Sequence, residues 1–128
     1  MRLKPTLKPN RAHPLTVEPT DGHVTVRLAG RVVASTDRAL TLREASYPAV
    51  QYVPLEDVDA DALRPSTHTS YCPFKGDASY FDLVTGDDVA EAAVWTYREP
   101  HDAVAPIRGH VAFYAERVDA IEVASQVA

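Results

Sequence analysis

A single cysteine, Cys72, leaves no partner for an intramolecular disulfide and excludes a zinc site built from several thiolates of this chain. Long hydrophobic runs are also missing. The apolar stretches cover only a few residues each, far short of the ~20 that a membrane-spanning helix needs, so no membrane association is expected. The N-terminal segment MRLKPTLKPNRAHP has basic residues but no apolar signal core, which argues against a secretory signal and makes the cytoplasm the expected compartment. The lone thiol agrees with a reducing compartment. Positive charge is not in excess: the net charge is −5 over 128 residues, so a nucleic-acid partner is not expected. Neither G-x-x-x-x-G-K-[ST] nor G-x-G-x-x-G occurs, which removes the common phosphate-cradling loops. The five histidines are scattered without metal-ligand spacing. Asp57, Asp59 and Asp61 alternate like the start of a calcium loop but lack its glycine and closing glutamate. No metal and no cofactor are therefore expected.

What remains is an ordinary globular balance of 45% apolar and 24% charged residues, enough for one modest domain. Residues 1–20 hold Arg2, Lys4, Lys8 and Arg11 against Glu18, a net of +3, which leaves −8 for the rest. They also carry Pro5, Pro9, Pro14 and Pro19, so an extended, proline-rich arm outside the core is expected there.

From Asp21 the pattern changes to period two, and residues 21–118 read as the folded domain. Val24, Val26 and Leu28 alternate with Thr25 and Arg27, and a turn at Ala29-Gly30 leads into Val32-Val33-Ala34. Leu40, Leu42 and Glu44 share one face of the next strand; Val50–Val53 forms another, bounded by Pro48 and Pro54. Residues 55–63 predict a short helical turn. Ala78–Val84 and Val89–Tyr97 are joined by Thr85-Gly86-Asp87-Asp88, a hairpin signal, which places Tyr80 across from Trp95 and Tyr97. Trp95 and Tyr97 are expected to share a face with Glu91 and Ala93. Gly109–Val118 suits either a strand or a helix, and Asp119–Ala128 reads as a frayed helical or disordered tail. Short strands at this spacing with little helix predict a mainly β, single antiparallel domain. A homodimer covering an edge strand is a natural expectation for so small a domain.

Ser66–Gly76 (STHTSYCPFKG) places an imidazole, a phenol, a thiol and an amine within eight positions, in what reads as a loop between elements. Cys72 is a candidate nucleophile if His68 or Lys75 lowers its pKa, and otherwise a small inert hydrophobe. Lys75 is a candidate contact for an anionic ligand group, or a surface lysine before a turn at Gly76, where a positive φ is expected. Glu44 faces inward with Leu40 and Leu42, where a carboxylate is costly unless paired or protonated. It is expected to be salt-bridged, to Arg43, Lys75 or Arg98, or raised in pKa for acid–base work. Tyr47, Tyr52, Tyr80, Trp95 and Tyr97 are candidate pocket walls; the same residues would equally stabilise a sheet as cross-strand pairs.

Several blocks resemble a known family. Leu42-Arg43-Glu44, Tyr47–Pro54 (YPAVQYVP) and Glu56-Asp57-Val58 resemble the opening block of domain-of-unknown-function family 427. Thr67–Tyr80 (THTSYCPFKGDASY) resembles its central signature, T-x-C-P-x-K-G-x-A-x-Y, and Ala93–Tyr97 with Pro100 and Ile107–Tyr114 resemble its closing blocks. One departure is Gln51, where the family pattern has an aromatic; a more polar pocket wall or strand edge should follow. The resemblance implies a β-tent, antiparallel sheets meeting at an angle, similar to methionine sulfoxide reductase B and the thalidomide-binding domain of cereblon. Relatives of that fold hold zinc through two Cys-x-x-Cys pairs, which the single cysteine here rules out. A nucleotidyltransferase label is sometimes attached to the family, but no paired acids in a glycine-serine context accompany it in this sequence.

These residues lead to an expected small-molecule site on a sheet face. In it Glu44 acts as acid–base group or acceptor, Lys75 as anion contact, and Tyr80 and Trp95 as walls, with Cys72 and His68 in support. The alternatives are a non-catalytic module caging a flat polar ring, and a protein-interaction domain using a sheet edge and the basic arm.

Overall fold

A computed structural model describes residues 4–125. The chain adopts the mainly β, antiparallel architecture expected from its sequence. The strands are β1 (Leu15–Pro19), β2 (His23–Leu28), β3 (Arg31–Thr36), β4 (Leu40–Glu44), β5 (Val50–Pro54), β6 (Leu63–Cys72), β7 (Gly76–Thr85), β8 (Asp88–Thr96), β9 (His110–Phe113) and β10 (Ala120–Ala124). They form a seven-stranded sheet in the order β1-β4-β5-β9-β8-β7-β6 and a three-stranded sheet in the order β10-β2-β3. Helix is confined to short 3-10 turns, two of which, Leu55–Asp57 and Ala60–Ala62, fall in the predicted 55–63 segment.

Local sequence explains most of these elements. Val24 and Val26 are fully buried while the flanking Thr25 and Arg27 are not, the period-two burial of a half-covered strand. Ala29 and Gly30, both at positive φ, close the β2–β3 hairpin, where Leu28 pairs with Arg31. Thr85 pairs with Asp88 across the Gly86-Asp87 turn, so the β7–β8 hairpin is as predicted.

Strand alternation in the large sheet divides the core in two. Val53, Val94, Val111 and Phe113 join Val24, Val26 and Val33 of the small sheet in one cluster. Tyr52, Ala112, Tyr80 and Tyr97 gather in the other with Leu42, Val104 and Ile107, and Trp95 and Tyr114 pack against it. The second cluster carries the candidate site.

Four expectations are corrected. Leu15–Pro19 lies outside the core in the sequence reading, yet it is strand β1, paired with β4 from Leu15↔Glu44 to Pro19↔Leu40. The prolines at its two ends do not interrupt it, because an edge strand tolerates missing donors. Ser66–Cys72 is not a loop but most of β6, also an edge strand, whose mostly exposed faces accept Ser, Thr and His. Ala120–Ala124 is neither helical nor disordered: β10 pairs with β2 and places Ile121 against the first core cluster. Residues 126–128 of that expected tail lie outside the described residues. Finally, Trp95 and Tyr97 do share a face, but Ala93 falls in the opposite cluster. A bulge shifts the register between Phe81 and Leu83, Ala92 takes φ 49°, and the Asp82 carboxylate accepts from the Ala92 amide at 2.8 Å. The ambiguous 109–118 segment resolves into β9 followed by a 3-10 turn at Ala115–Arg117.

Candidate functional site

Glu44 ends β4, and its side chain follows Leu42 to the face of the second cluster. Lys75 lies in the three-residue turn that links β6 to β7, between the paired residues Cys72 and Gly76. Gly76 is at φ 118°, as expected, and a Cβ there would lie 3.3 Å from the Glu99 carbonyl oxygen. That close approach lets His101 hold the turn from outside: its amide donates to the Lys75 carbonyl at 2.9 Å, and its Nδ1 donates to the Pro73 carbonyl at 3.1 Å.

Lys75 Nζ donates to Glu44 Oε1 at 2.5 Å, and both side chains are largely shielded, with 14% and 12% exposed. Of the partners expected for Glu44, Lys75 is the one the structure pairs with it. The second carboxylate oxygen is also engaged: His13 Nε2 lies 2.7 Å from Oε2. Burial pushes the Glu44 carboxyl up, but the hydrogen bonds from Lys75 and His13 and their charge outweigh it, so its pKa lies below the usual carboxylate value. Glu44 is therefore ionised at neutral pH, which suits an acceptor and not a general acid.

A cavity of about 180 Å³ opens above this pair. Tyr52, Tyr80, Trp95, Tyr97 and Tyr114 form its walls, and it widens into a shallower groove bordered by Tyr47, Gln51, Phe113 and Val123. Trp95 Nε1 donates to Tyr52 Oη at 3.1 Å with the rings edge to face. Tyr80 Oη lies 2.8 Å from Ser70 Oγ, and the Trp95 and Tyr114 rings meet at a centroid distance of 4.5 Å. Burial holds the Tyr52 and Tyr97 phenols well above their usual pKa and pushes Tyr114 up to about 12, so all three stay neutral.

The structure thus brings Glu44, Lys75, Tyr52, Tyr80, Trp95 and Tyr97 to one cavity, with Tyr47 exposed at its mouth. It does not bring His68 or Cys72 there. His68 is exposed on β6, where its ring packs edge-on to Tyr80 at 4.4 Å, and it borders a separate groove with Asp82 and Glu91. Cys72 is half-buried against the aromatic cluster without lining the cavity. Gln51, the departure from the family pattern, accepts from Thr20 Oγ1 at 2.6 Å and donates to Thr41 Oγ1 at 3.1 Å, a polar seam between β4 and β5.

Tyr114, another aromatic on a β position, follows the β9 alternation into the cavity. One residue escaped the sequence reading. His13 comes from the proline-rich arm: its imidazole stacks on Phe74 with centroids 3.9 Å apart and planes within 5°. An Asn10–His13 bridge, the Leu7 amide on the Pro73 carbonyl, the Tyr71 hydroxyl on the Pro5 carbonyl and a Lys4–Asp77 ion pair hold the arm in place. The available signal was Leu15 and Val17 alternating with Thr16 and Glu18, which marks β1 and so carries His13 to the end of β4.

The family model described as Domain of unknown function (DUF427), labelled NTP_transf_9, matches residues 16–124. The chain belongs to the DUF427 family. The match runs from Thr16 in β1 to the end of β10, so it takes in both sheets apart from Leu15, while His13 precedes it. No curated protein matches the chain at a significant level. Among the described residues no helix is long and apolar enough to cross a membrane, and no group of three or more His, Cys, Asp or Glu side chains is placed to hold a metal ion.

Proposed function

We propose that this DUF427 protein binds a small organic molecule in the cavity above Glu44 and Lys75. One observation carries the reading: a shielded ion pair lines an aromatic-walled cavity where it meets the open groove. A shielded ion pair is a poor device for stability, because desolvation offsets most of its attraction. In a cavity wall it instead supplies fixed polar contacts, while Tyr80 and Trp95 supply flat apolar area.

The non-catalytic form of this reading is favoured over an enzyme. Glu44 is ionised and both its oxygens are engaged, so it orients Lys75 rather than donating a proton. A single carboxylate paired with an ammonium also differs from the paired acids that nucleotidyl transfer calls for, so the NTP_transf_9 label adds little to the reading.

A thermal-shift screen of the full chain against small metabolites tests it. A ligand at about a hundred times its Kd stabilises by ~2.7 kcal/mol, on the order of 10 °C for a domain of this size. The expected result is a hit that Glu44→Gln and Lys75→Met abolish while both variants stay folded, with the ligand recovered unchanged in mass. A hit to which both folded variants respond like the wild type would overturn the proposal, and a changed mass would make the site catalytic.

A further inference from the structure

The polar groups around the cavity are unequally spent. Tyr97 is only 6% exposed and lines the cavity, yet among the described residues no group donates to or accepts from its hydroxyl. Tyr52, 1% exposed, accepts the Trp95 indole N–H, but its own hydroxyl proton has no acceptor among the described residues. Both hydroxyls can therefore donate to a molecule in the cavity. Lys75 carries three N–H donors and gives one to Glu44. On the acceptor side, each Glu44 oxygen already receives one bond. Lys75 can only donate, so together with the two phenols the cavity offers three donor groups toward a ligand acceptor.

Charge narrows the ligand further. The Glu44 carboxylate pairs directly with the Lys75 ammonium, so an incoming anion would meet a like charge beside Lys75. An incoming cation would meet Lys75. The enclosed part sets the ring size: about 180 Å³ is slightly more than the ~150 Å³ cavity that holds a benzene ring, and larger substituents would extend into the adjoining groove.

Resting on the binding reading above, we propose that the cavity takes a neutral, planar ring bearing a carbonyl-type acceptor, with the acceptor received by the Tyr97 and Tyr52 hydroxyls and Lys75 and the ring lying on Trp95. The high pKa of both phenols keeps them protonated as donors over the physiological range. Ring contact alone would give weak binding; the hydrogen bonds to buried donors supply the discrimination.

Trp95 is the only tryptophan and lines the cavity, so its fluorescence reports occupancy directly. Four probes of similar size separate the possibilities when titrated into the full-length chain: toluene, benzamide, benzoate and benzylamine. Benzamide is expected to bind roughly tenfold tighter than toluene, and tighter than either charged probe. Tyr97→Phe and, separately, Tyr52→Phe should each weaken benzamide about fivefold, and Tyr97→Phe, which keeps the Trp95–Tyr52 bond, should leave toluene unchanged. Toluene binding as well as benzamide, or benzoate or benzylamine binding best, overturns this inference and leaves the binding proposal standing. Benzamide affinity untouched in both phenylalanine variants also overturns it. No response from any probe contradicts the inference and the binding proposal together.

Discussion

Glu44 and Lys75 stand 31 positions apart in sequence, yet their side chains meet at 2.5 Å in the wall of an aromatic cavity. Glu44 arrives from the end of β4, and Lys75 arrives from the turn after edge strand β6, on the far side of the same sheet. Their contact joins the two regions directly, beside the link that His13 makes between Glu44 and Phe74.

That contact should be measurable as coupling. Glu44→Gln and Lys75→Met each leave one partner shielded and unpaired, so each alone destabilises. The double variant should lose less than the sum of the two, with a coupling of about 1 to 2 kcal/mol by denaturant unfolding. Strict additivity would mean that the pair is too solvated to matter.

The acid limb of stability should carry the signature of Glu44. Its folded-state pKa lies below the usual carboxylate value. Such a group contributes stability above its unfolded pKa, and that contribution is lost as pH falls through the folded value. Wild type should therefore lose stability below about pH 4.5 more steeply than Glu44→Gln, measured by denaturant midpoint across pH. Parallel curves would contradict the assignment.

His13 ties the arm to the site. His13→Ala removes both the Phe74 stack and the Glu44 hydrogen bond, and should cost about 1 kcal/mol. It should also speed amide exchange at Leu7, whose N–H donates to the Pro73 carbonyl. Unchanged exchange would show that the arm is held without His13.

The Lys75 turn depends on its glycine. Gly76→Ala puts a side chain at φ 118° and 3.3 Å from the Glu99 carbonyl, so it should destabilise by more than about 1 kcal/mol. It should also weaken any ligand of the cavity, because the turn positions Lys75. A variant as stable as the wild type would mean that the loop shifts freely.

Much of this was legible in the sequence. Strands with one buried face, such as β2 and β4, announce themselves by alternation, and the β7–β8 turn by its Gly-Asp content. The inward position of Glu44 followed from its phase with Leu40 and Leu42. Edge strands were the weak point. β6 is polar on both faces and contains Pro65, so it carries no alternation to read, and β1 is bracketed by prolines. The Ala92 bulge has no sequence signal, since a non-glycine residue at positive φ is set by its tertiary surroundings, here Asp82. The His13–Glu44 contact depends on β1 pairing with β4, a long-range event that no local pattern encodes.

The central claim, that the aromatic cavity is a ligand site, is tested most directly at the Trp95 indole N–H. The chain has one such group, and its hydrogen bond to Tyr52 lies in the cavity wall. A single cross-peak in a nitrogen–proton correlation spectrum therefore reports on the site. A compound that raises the melting temperature should move that peak, with a titration midpoint matching the thermal-shift affinity. If the compound stabilises the protein and shifts other amides while the indole peak stays in place, the ligand binds elsewhere and the account is wrong.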